Sequence, residues 1–286
     1  MIGQKVRDYQ LLTKFRLSSL VVFSSVMAYL IAAGGTAAWL PLILLACGGW
    51  LVTAAANTLN QVLERDFDRL MKRTEDRPLA AGRMTVSEAV MAAGFMSLIG
   101  ITILALFNPW TAFLGTLSFI FYSFIYTPMK RLSPIAVFVG AIPGALPTMI
   151  GAVAYEGEIT MLALVLFAIQ FLWQFPHFWA IAWLSHEDYS KAGFYLLPAK
   201  GGVEDRNTGL QSFIYALLLV PVVLVPYWMG ATGWISAVLV LIFSLIYAFY
   251  GWNFYRDFTR ASARKLMFSS FFYLPMVLIV LVLDKI

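Results

Sequence analysis

Six long stretches of this chain contain no Asp, Glu, Lys or Arg, and they constrain its fold more than any other feature. They run over residues 17–63, 89–129, 132–155, 159–186, 207–255 and 266–283. A helix needs about 20 apolar residues to cross a hydrocarbon core of roughly 30 Å, so each stretch can supply a membrane span. Hydrophobic residues make up 61% of the chain and charged residues only 12%. A soluble domain cannot bury so much apolar surface, and we predict an all-α integral membrane protein.

The three longest stretches are each interrupted by turn residues near the middle. The interruptions are Gly34-Gly35-Thr36, Asn108-Pro109 and the segment 229–233. Gly, Asn and Pro at such positions typically end a helix, so each of these stretches is expected to hold two spans. The prediction is a single polytopic domain over 1–286 with nine spans, near 17–34, 39–60, 88–107, 110–127, 133–155, 160–184, 209–229, 233–252 and 266–283.

The basic residues provide an independent test of this count, because Lys and Arg in short loops stay on the cytoplasmic side. With nine spans, 19 of the 20 basic residues fall at the N-terminus or in alternate loops, and only Lys285 lies outside that set. Lys200, in the loop after the sixth span, is one of the 19. The pattern predicts a cytoplasmic N-terminus, an external C-terminus and functional loops on the cytoplasmic face.

Other classes of protein are disfavoured by composition. The pI is near 9.3, but the basic loops lack the aromatic residues of a nucleic-acid groove, so no nucleic-acid partner is expected. The single cysteine, Cys47, lies within a span and excludes a disulfide framework or a cysteine-based metal site. No Arg- and Ser-rich amphipathic leader is present, which favours a bacterial plasma (inner) membrane over an organelle.

The most informative polar motif begins where the second span ends. Asn60, Glu64 and Asp68 are spaced i, i+4, i+8, which places three oxygen-bearing side chains on one helix face. Mg²⁺ prefers carboxylate, carbonyl and water oxygens and often bridges one or two carboxylates to substrate phosphates. This face is therefore predicted to bind a metal that contacts a diphosphate, with Asp66, half a turn away, as a weaker candidate.

Basic residues follow at once and include Arg73 and Arg77. Arginine pairs bidentately with phosphate oxygens, so these residues are expected to hold the diphosphate. The alternative is ordinary salt bridging at the membrane surface, with Lys72, Arg73 and Arg83 serving topology alone. We favour a functional site because an acidic face at the end of a span is costly without a partner.

These residues resemble the first signature of the UbiA superfamily, the intramembrane prenyltransferases that make ubiquinone, menaquinone, chlorophyll and haem O. The matching pattern is Asn60-xxx-Glu64-xxx-Asp68-xxxx-Arg73-Thr74-xx-Arg77-Pro78-Leu79-xx-Gly82. The resemblance implies nine spans, a cytoplasmic active site, Mg²⁺ as cofactor and catalytic roles for Asn60, Glu64, Asp68 and Lys130. It also implies that Lys130 and, with less weight, Arg131 and Tyr126 hold the diphosphate. The superfamily usually has Asp at position 64, and Glu64 retains the carboxylate.

Two later motifs resemble the haem O synthase branch of the superfamily. They are Trp173-Gln174-xx-Pro176-His177-Phe178-Trp179 and Asp188-Tyr189-xx-Ala192-Gly193. The branch usually has Pro-Met before the Leu-Pro at 197–198, where this chain has Phe194-Tyr195-Leu196. His177 lies within an apolar span, where a histidine is expected to be functional, and we predict that it ligates or contacts haem beside Trp173 and Gln174. The quinone-making relatives carry an aspartate pair in this region that binds a second metal, and Asp188 is the predicted second-site carboxylate by its placement. Imidazole is a natural ligand of haem iron, and the alternative for His177 is a helix-to-helix hydrogen bond with a group such as Gln174.

The reaction implied by this resemblance is transfer of a farnesyl group from farnesyl diphosphate to a vinyl group of haem b, with addition of water. Mg²⁺ and the basic residues would neutralise the departing diphosphate, and aromatic rings near Trp173 would shelter the cation unless they serve packing alone. The alternatives are a quinone-pathway prenyltransferase acting on an aromatic acid and a transporter without catalysis. The sequence leaves open whether a haem A synthase or a terminal oxidase acts beside the protein.

Overall fold

The computed structural model describes residues 2–197 and 205–286, which form helices joined by loops and turns. Pro198 and Lys200, which entered the sequence argument, lie outside these residues. The helices are α1 (Ile2–Leu12), α2 (Phe15–Ala33), α3 (Trp39–Asp68), α4 (Val86–Ala105), α5 (Pro109–Ile120), α6 (Thr127–Met129), α7 (Ala136–Glu156), α8 (Met161–Leu184), α9 (His186–Lys191), α10 (Asn207–Val222), α11 (Val225–Trp228), α12 (Trp234–Asp257) and α13 (Arg260–Leu283).

The predicted nine spans are confirmed within the described part of the chain. Nine helical segments are long and apolar enough to cross a membrane, and they begin and end at Phe15–Thr36, Trp39–Asp68, Val86–Ala105, Pro109–Met129, Ala136–Glu156, Met161–Leu184, Asn207–Trp228, Trp234–Asp257 and Arg260–Leu283. The all-α membrane fold is therefore correct. The sides on which the termini lie and the assignment of 1–286 to one domain stay predictions.

The predicted interruption at Asn108-Pro109 has a clear local cause. Asn108 caps α5, because its side-chain oxygen accepts a hydrogen bond from the Thr111 backbone N–H at 2.9 Å, and Pro109 occupies the first helical position. The Asn108 amide also donates to the Val153 carbonyl at 2.9 Å. The turn is thereby attached to the end of α7.

The spans pack around α7, in which 78% of the residues of an apolar 18-residue stretch are buried. α7 contacts α2, α5 and α8, while α13 returns to contact α8 and α2 and so closes the bundle. Helices approach closely where small residues face each other. A Cβ on Gly151 of α7 would clash with the Ser25 carbonyl of α2, so only glycine permits this contact.

Two irregular segments adjoin the interior of the bundle. Residues Phe121–Tyr126 form a π-helix between α5 and α6, and π-helical turns are frequently found at functional sites. α7 contains Pro143 and Pro147. Pro147 has no N–H to bond the Pro143 carbonyl four residues earlier, and the Ser118 hydroxyl donates to that carbonyl instead at 3.3 Å.

A helix that the sequence analysis did not predict precedes the first span. α1 ends at Leu12, and Lys14 then has φ 48° and ψ 53°, a left-handed conformation that is uncommon for a residue with a side chain. The Gln61 amide of α3 donates to the Leu11 and Leu12 carbonyls at 2.8 and 2.9 Å. The chain between α1 and α2 is thereby held against α3.

Candidate active site

A cavity of about 310 Å³, here named the polar chamber, lies where the ends of several spans meet. Its charged and polar lining comes from the turn between α1 and α2, from α3 and the segment after it, from the π-helix, from the residue after α6, and from α8 and α9. The residues are Lys14, Asn60, Glu64, Asp68, Arg73, Thr74, Arg77, Tyr122, Tyr126, Lys130, His177 and Tyr189. Most residues of the predicted diphosphate and metal sites therefore face one common space.

The three residues predicted from the i, i+4, i+8 spacing lie together in this chamber. α3 continues without a break to Asp68, two turns beyond the predicted end of the second span, so Asn60, Glu64 and Asp68 share one face. They are 1%, 5% and 1% exposed. The Asn60 amide donates to the Thr127 hydroxyl at 3.2 Å, which ties this face to α6.

Each carboxylate of the chamber is paired with a cation. Both Asp68 carboxylate oxygens accept from Nη1 of Arg77 at 2.8 Å. Lys130 Nζ donates to Glu64 Oε1 at 2.7 Å. The predicted metal ligands and two of the predicted diphosphate ligands thus contact each other directly.

Lys14, which the sequence analysis assigned only to topology, also lines the polar chamber. Its ammonium donates to Asn60 Oδ1 at 2.9 Å. Burial lowers the pKa of Lys14 well below its ordinary value, and the positive charges of Arg77 and Lys130 lower it further. Burial also acts to lower the pKa of Lys130, but its partner Glu64 outweighs that effect and the pKa is raised. The difference is that Lys130 has a carboxylate within hydrogen-bond distance and Lys14 has an amide.

The two remaining basic candidates are placed differently. Arg73 lines the chamber and donates to the Tyr189 hydroxyl at 3.1 Å. The guanidinium of Arg131 lies 4.0 Å from the ring centroid of Phe67, as expected of a cation–π contact, and Arg131 is not among the chamber residues. Arg131 is therefore the less direct of the two for a diphosphate in this space.

Asp188, the predicted ligand of a second metal, lies on α9 beside the chamber rather than in it. Its side chain is 28% exposed, and the nearest cation is Lys191 Nζ at 4.0 Å. Among the described residues, no group of three or more His, Cys, Asp or Glu side chains could hold a metal. The donor set of the chamber, two carboxylates and one amide oxygen, nevertheless suits Mg²⁺, which usually completes its coordination with water and substrate phosphate.

A second cavity of about 280 Å³, here named the apolar chamber, adjoins the first between α2, α3, α7, α8 and α13. Seven residues line both cavities, so the two spaces lie side by side: Leu17, Tyr122, Tyr126, Gly140, His177, Phe178 and Phe271. The polar chamber can hold a charged group while the apolar chamber holds a hydrocarbon chain attached to it.

The predicted haem contacts Trp173, Gln174 and His177 all line the apolar chamber. The Trp173 indole donates to the Ser270 carbonyl at 2.9 Å, and the Gln174 amide donates to the Ala141 carbonyl at 3.1 Å. His177 does make a helix-to-helix hydrogen bond, but its partner is the Ser270 hydroxyl at 2.7 Å rather than Gln174. Its ring lies at the boundary between the two chambers.

Comparison with known protein sequences gives a consistent result over nearly the whole chain. The profile of the UbiA prenyltransferase family matches residues 21–274. A protoheme IX farnesyltransferase of Cytophaga hutchinsonii is 48% identical, with 100% of each chain covered. Another of the same name, from Christiangramia forsetii, is 43% identical, with 97% of this chain and 93% of that protein covered.

Solved structures share the fold at lower sequence identity. A digeranylgeranylglyceryl phosphate synthase superposes with a TM-score of 0.83 at 18% identity, covering 98% of both chains. A UbiA homologue from Archaeoglobus fulgidus, bound to GPP and Mg²⁺, superposes with a TM-score of 0.71 at 18% identity, covering 96% of this chain and 99% of the other. At this identity the likeness concerns the fold alone.

Proposed function

The chain belongs to the UbiA prenyltransferase family, and we propose that it transfers the farnesyl group of farnesyl diphosphate to a vinyl group of protohaem IX. The C1–O bond of the donor breaks and its electron pair leaves with the diphosphate. A vinyl carbon forms the new bond to C1. Water then adds to the cation beside the pyrrole and loses a proton, which gives haem O.

The charge balance of the polar chamber is the observation that supports farnesyl diphosphate as the prenyl donor. Three basic side chains, Arg73, Arg77 and Lys130, face two carboxylates, Glu64 and Asp68, and Lys14 adds a fourth cation when it is protonated. Positive groups therefore outnumber negative groups in the polar chamber. Buried charge is costly unless compensated, and a diphosphate supplies the missing negative charge.

Asn60, Glu64 and Asp68 are the residues that would hold Mg²⁺. When bound, the ion supplies positive charge to the oxygens of the departing diphosphate. Arg77 and Lys130 now neutralise Asp68 and Glu64, and we propose that they turn to the diphosphate when it enters. Each cation then stabilises the negative charge that develops as the C1–O bond breaks.

The apolar chamber suits the farnesyl chain, because it begins where the polar chamber ends. Tyr122, Tyr126, Phe178 and Phe271 lie at that boundary. C1 of the donor would be placed there, next to the diphosphate, and ring faces stabilise an adjacent cation. The same rings limit the entry of water that would capture the allylic cation too early.

Two observations support haem as the acceptor. Relatives of high identity are named protoheme IX farnesyltransferase, and His177 lies at the boundary between the two chambers. These names favour haem over the aromatic acid of a quinone pathway. We propose that His177 ligates the haem iron and that Trp173 and Gln174 shape the acceptor side of the apolar chamber. Roles for Arg131 and Asp188 remain predictions, and from the described position of Asp188 a metal role would require α9 to move toward the chamber.

The location follows from the spans. The chain is a multi-pass membrane protein, and with bacterial relatives at this identity we place it in a bacterial inner membrane. Association with a haem A synthase or a terminal oxidase stays a prediction.

One assay tests the proposed function. Membranes containing the protein are incubated with haem b, farnesyl diphosphate and Mg²⁺, and products are analysed by mass spectrometry. The expected product is haem that has gained one farnesyl group and the elements of water. A parallel incubation replaces haem with 4-hydroxybenzoate. Prenylation of the aromatic acid without conversion of haem would contradict the proposal.

A further inference from the structure

The imidazole of His177 is held on several sides by groups from α8 and α13. The Trp173 ring stacks on it with centroids 4.9 Å apart and planes 17° apart. Phe271 contacts it edge-on at 5.2 Å. These contacts fix the plane of the ring, and the hydrogen bond from Nδ1 to the Ser270 hydroxyl fixes which ring edge faces α13.

The position of the Ser270 hydroxyl hydrogen determines the tautomer of His177. A hydroxyl has one hydrogen to donate and can accept other hydrogen bonds. Ser270 Oγ lies 2.5 Å from the Met267 carbonyl, which can only accept, so the hydrogen is used there. Nδ1 of His177 lies 2.7 Å from the same oxygen. Two lone pairs facing each other at that distance would repel, so Nδ1 carries a hydrogen and donates it.

The other ring nitrogen is then left with its lone pair. In neutral imidazole only one nitrogen carries hydrogen, so Nε2 is the acceptor when Nδ1 is protonated. Within the described residues Nε2 makes no hydrogen bond, and the ring borders both chambers. An unprotonated nitrogen at this boundary can bind a metal centre.

We propose that Ser270 is a positioning residue that keeps His177 in the Nδ1–H tautomer and so presents Nε2 to the iron of the haem acceptor. This inference rests on the proposed function, in which haem is the acceptor. Ser270 makes a second contact beside His177, because its backbone carbonyl accepts a hydrogen bond from the Trp173 indole at 2.9 Å. Outer partners of a metal-ligating histidine commonly fix its tautomer and orientation in this way.

The chain contains a matched control in the neighbouring residue. Ser269 lies on the same helix and its hydroxyl donates to the Leu266 carbonyl at 2.8 Å, the same local pattern. Ser269 lines a separate groove between α12 and α13 rather than either chamber. Ser270→Ala and Ser269→Ala therefore remove the same group, and only Ser270→Ala removes the partner of His177.

The test uses the full-length protein in lipid nanodiscs with haem b and no farnesyl diphosphate. The iron–histidine stretch of the ferrous form is measured by resonance Raman spectroscopy, because its frequency depends on the hydrogen bond at Nδ1. Ser270→Ala is expected to lower the frequency and to weaken haem binding by about 10-fold or more, the usual effect of losing such a partner. Ser270→Cys, which keeps a weak acceptor, should lie between wild type and Ser270→Ala, and Ser269→Ala should match wild type.

The outcomes separate this inference from the proposed function. Equal frequencies and haem affinities in Ser270→Ala and Ser269→Ala would overturn the role of Ser270. An iron–histidine band that persists in His177→Gly would show that another residue ligates the iron, and would overturn the inference even if farnesyl transfer continues. The farnesyl transfer assay, carried out on wild-type protein, judges the proposed function independently of either result.

Discussion

Lys130 Nζ lies 2.7 Å from Glu64 Oε1, although the two residues are 66 positions apart in the chain. The contact joins the loop after α6 to the inner face of α3, and both side chains are largely buried, at 12% and 6% exposed. This pair connects the two halves of the predicted diphosphate site. Variants of this pair can also test its effect on protein stability separately from its effect on farnesyl transfer.

Glu64→Gln is expected to destabilise the protein, because it leaves the Lys130 charge without a carboxylate. Losing one partner of a buried ion pair typically costs about 3–5 kcal/mol, and we expect a loss of that order here because both side chains are largely buried. Thermal unfolding in detergent measures the change. The double variant Glu64→Gln/Lys130→Met should recover much of the stability but none of the farnesyl transfer. Recovery of activity in the double variant would contradict a role for the pair in catalysis.

Asp68→Asn is expected to lower turnover by about 10²-fold or more, since it removes a carboxylate from the proposed metal face and weakens its pair with Arg77. The Mg²⁺ concentration that gives half-maximal activity should rise at the same time. Asp66→Asn is the control, because Asp66 lies on the same helix but is 63% exposed and pairs with Arg65 and Arg69 outside the chamber. Its activity should stay within about twofold of wild type by the usual small effect of exposed pairs. Similar losses in the two variants would argue against a specific site at Asp68.

Lys14→Met is expected to raise the KM for farnesyl diphosphate, because the proposed diphosphate site loses a cation that has no carboxylate of its own. A hydrogen bond to a charged group is worth about 1.5–3 kcal/mol, which corresponds to roughly a 10- to 150-fold change. Steady-state kinetics with varied farnesyl diphosphate measure it. Arg16→Met removes a nearby basic residue that is exposed and should leave the KM unchanged. A wild-type KM in Lys14→Met would exclude Lys14 from the diphosphate site.

Gly144→Ala is expected to destabilise the bundle by about 1–3 kcal/mol, the usual cost of overpacking. Its Cβ would clash with Gln174 Oε1, so the Gln174 amide must turn away and lose its hydrogen bonds to the Ala141 and Gln170 carbonyls. Gly94→Ala in α4 provides the comparison, because nothing lies within 4 Å of the added Cβ. Alanine has the higher helix propensity by about 1 kcal/mol, so Gly94→Ala should be neutral or stabilising. Thermal unfolding curves of the two variants would be compared, and a Gly144→Ala protein as stable as Gly94→Ala would contradict the packing argument.

Much of the fold could be predicted because a membrane imposes strong local constraints. Spans must be long, apolar and helical so that their backbone groups are satisfied within the lipid. The turn at Asn108-Pro109 and the helical continuation to Asp68 also depend on neighbouring residues alone. The i, i+4, i+8 spacing therefore predicted correctly that Asn60, Glu64 and Asp68 share a face.

The position of Lys14 in the polar chamber could not be predicted from the sequence. In the sequence it is one of four basic residues before the first span and is indistinguishable from a topological charge. Its position depends on the left-handed conformation between α1 and α2 and on the attachment of that turn to Gln61 of α3. The contact with Gln61 leaves no periodic signal in the sequence, because it joins segments about 50 positions apart.

The sequence by itself determined the membrane class, the nine spans and one acidic helix face, because each depends on local periodicity and hydrophobicity. Only the tertiary structure decided which cations face those carboxylates, that Arg131 packs on Phe67 instead, and that His177 pairs with Ser270 of the last helix. Those pairings arise when helices distant in sequence pack together and must compensate each buried charge or polar group at the point of contact.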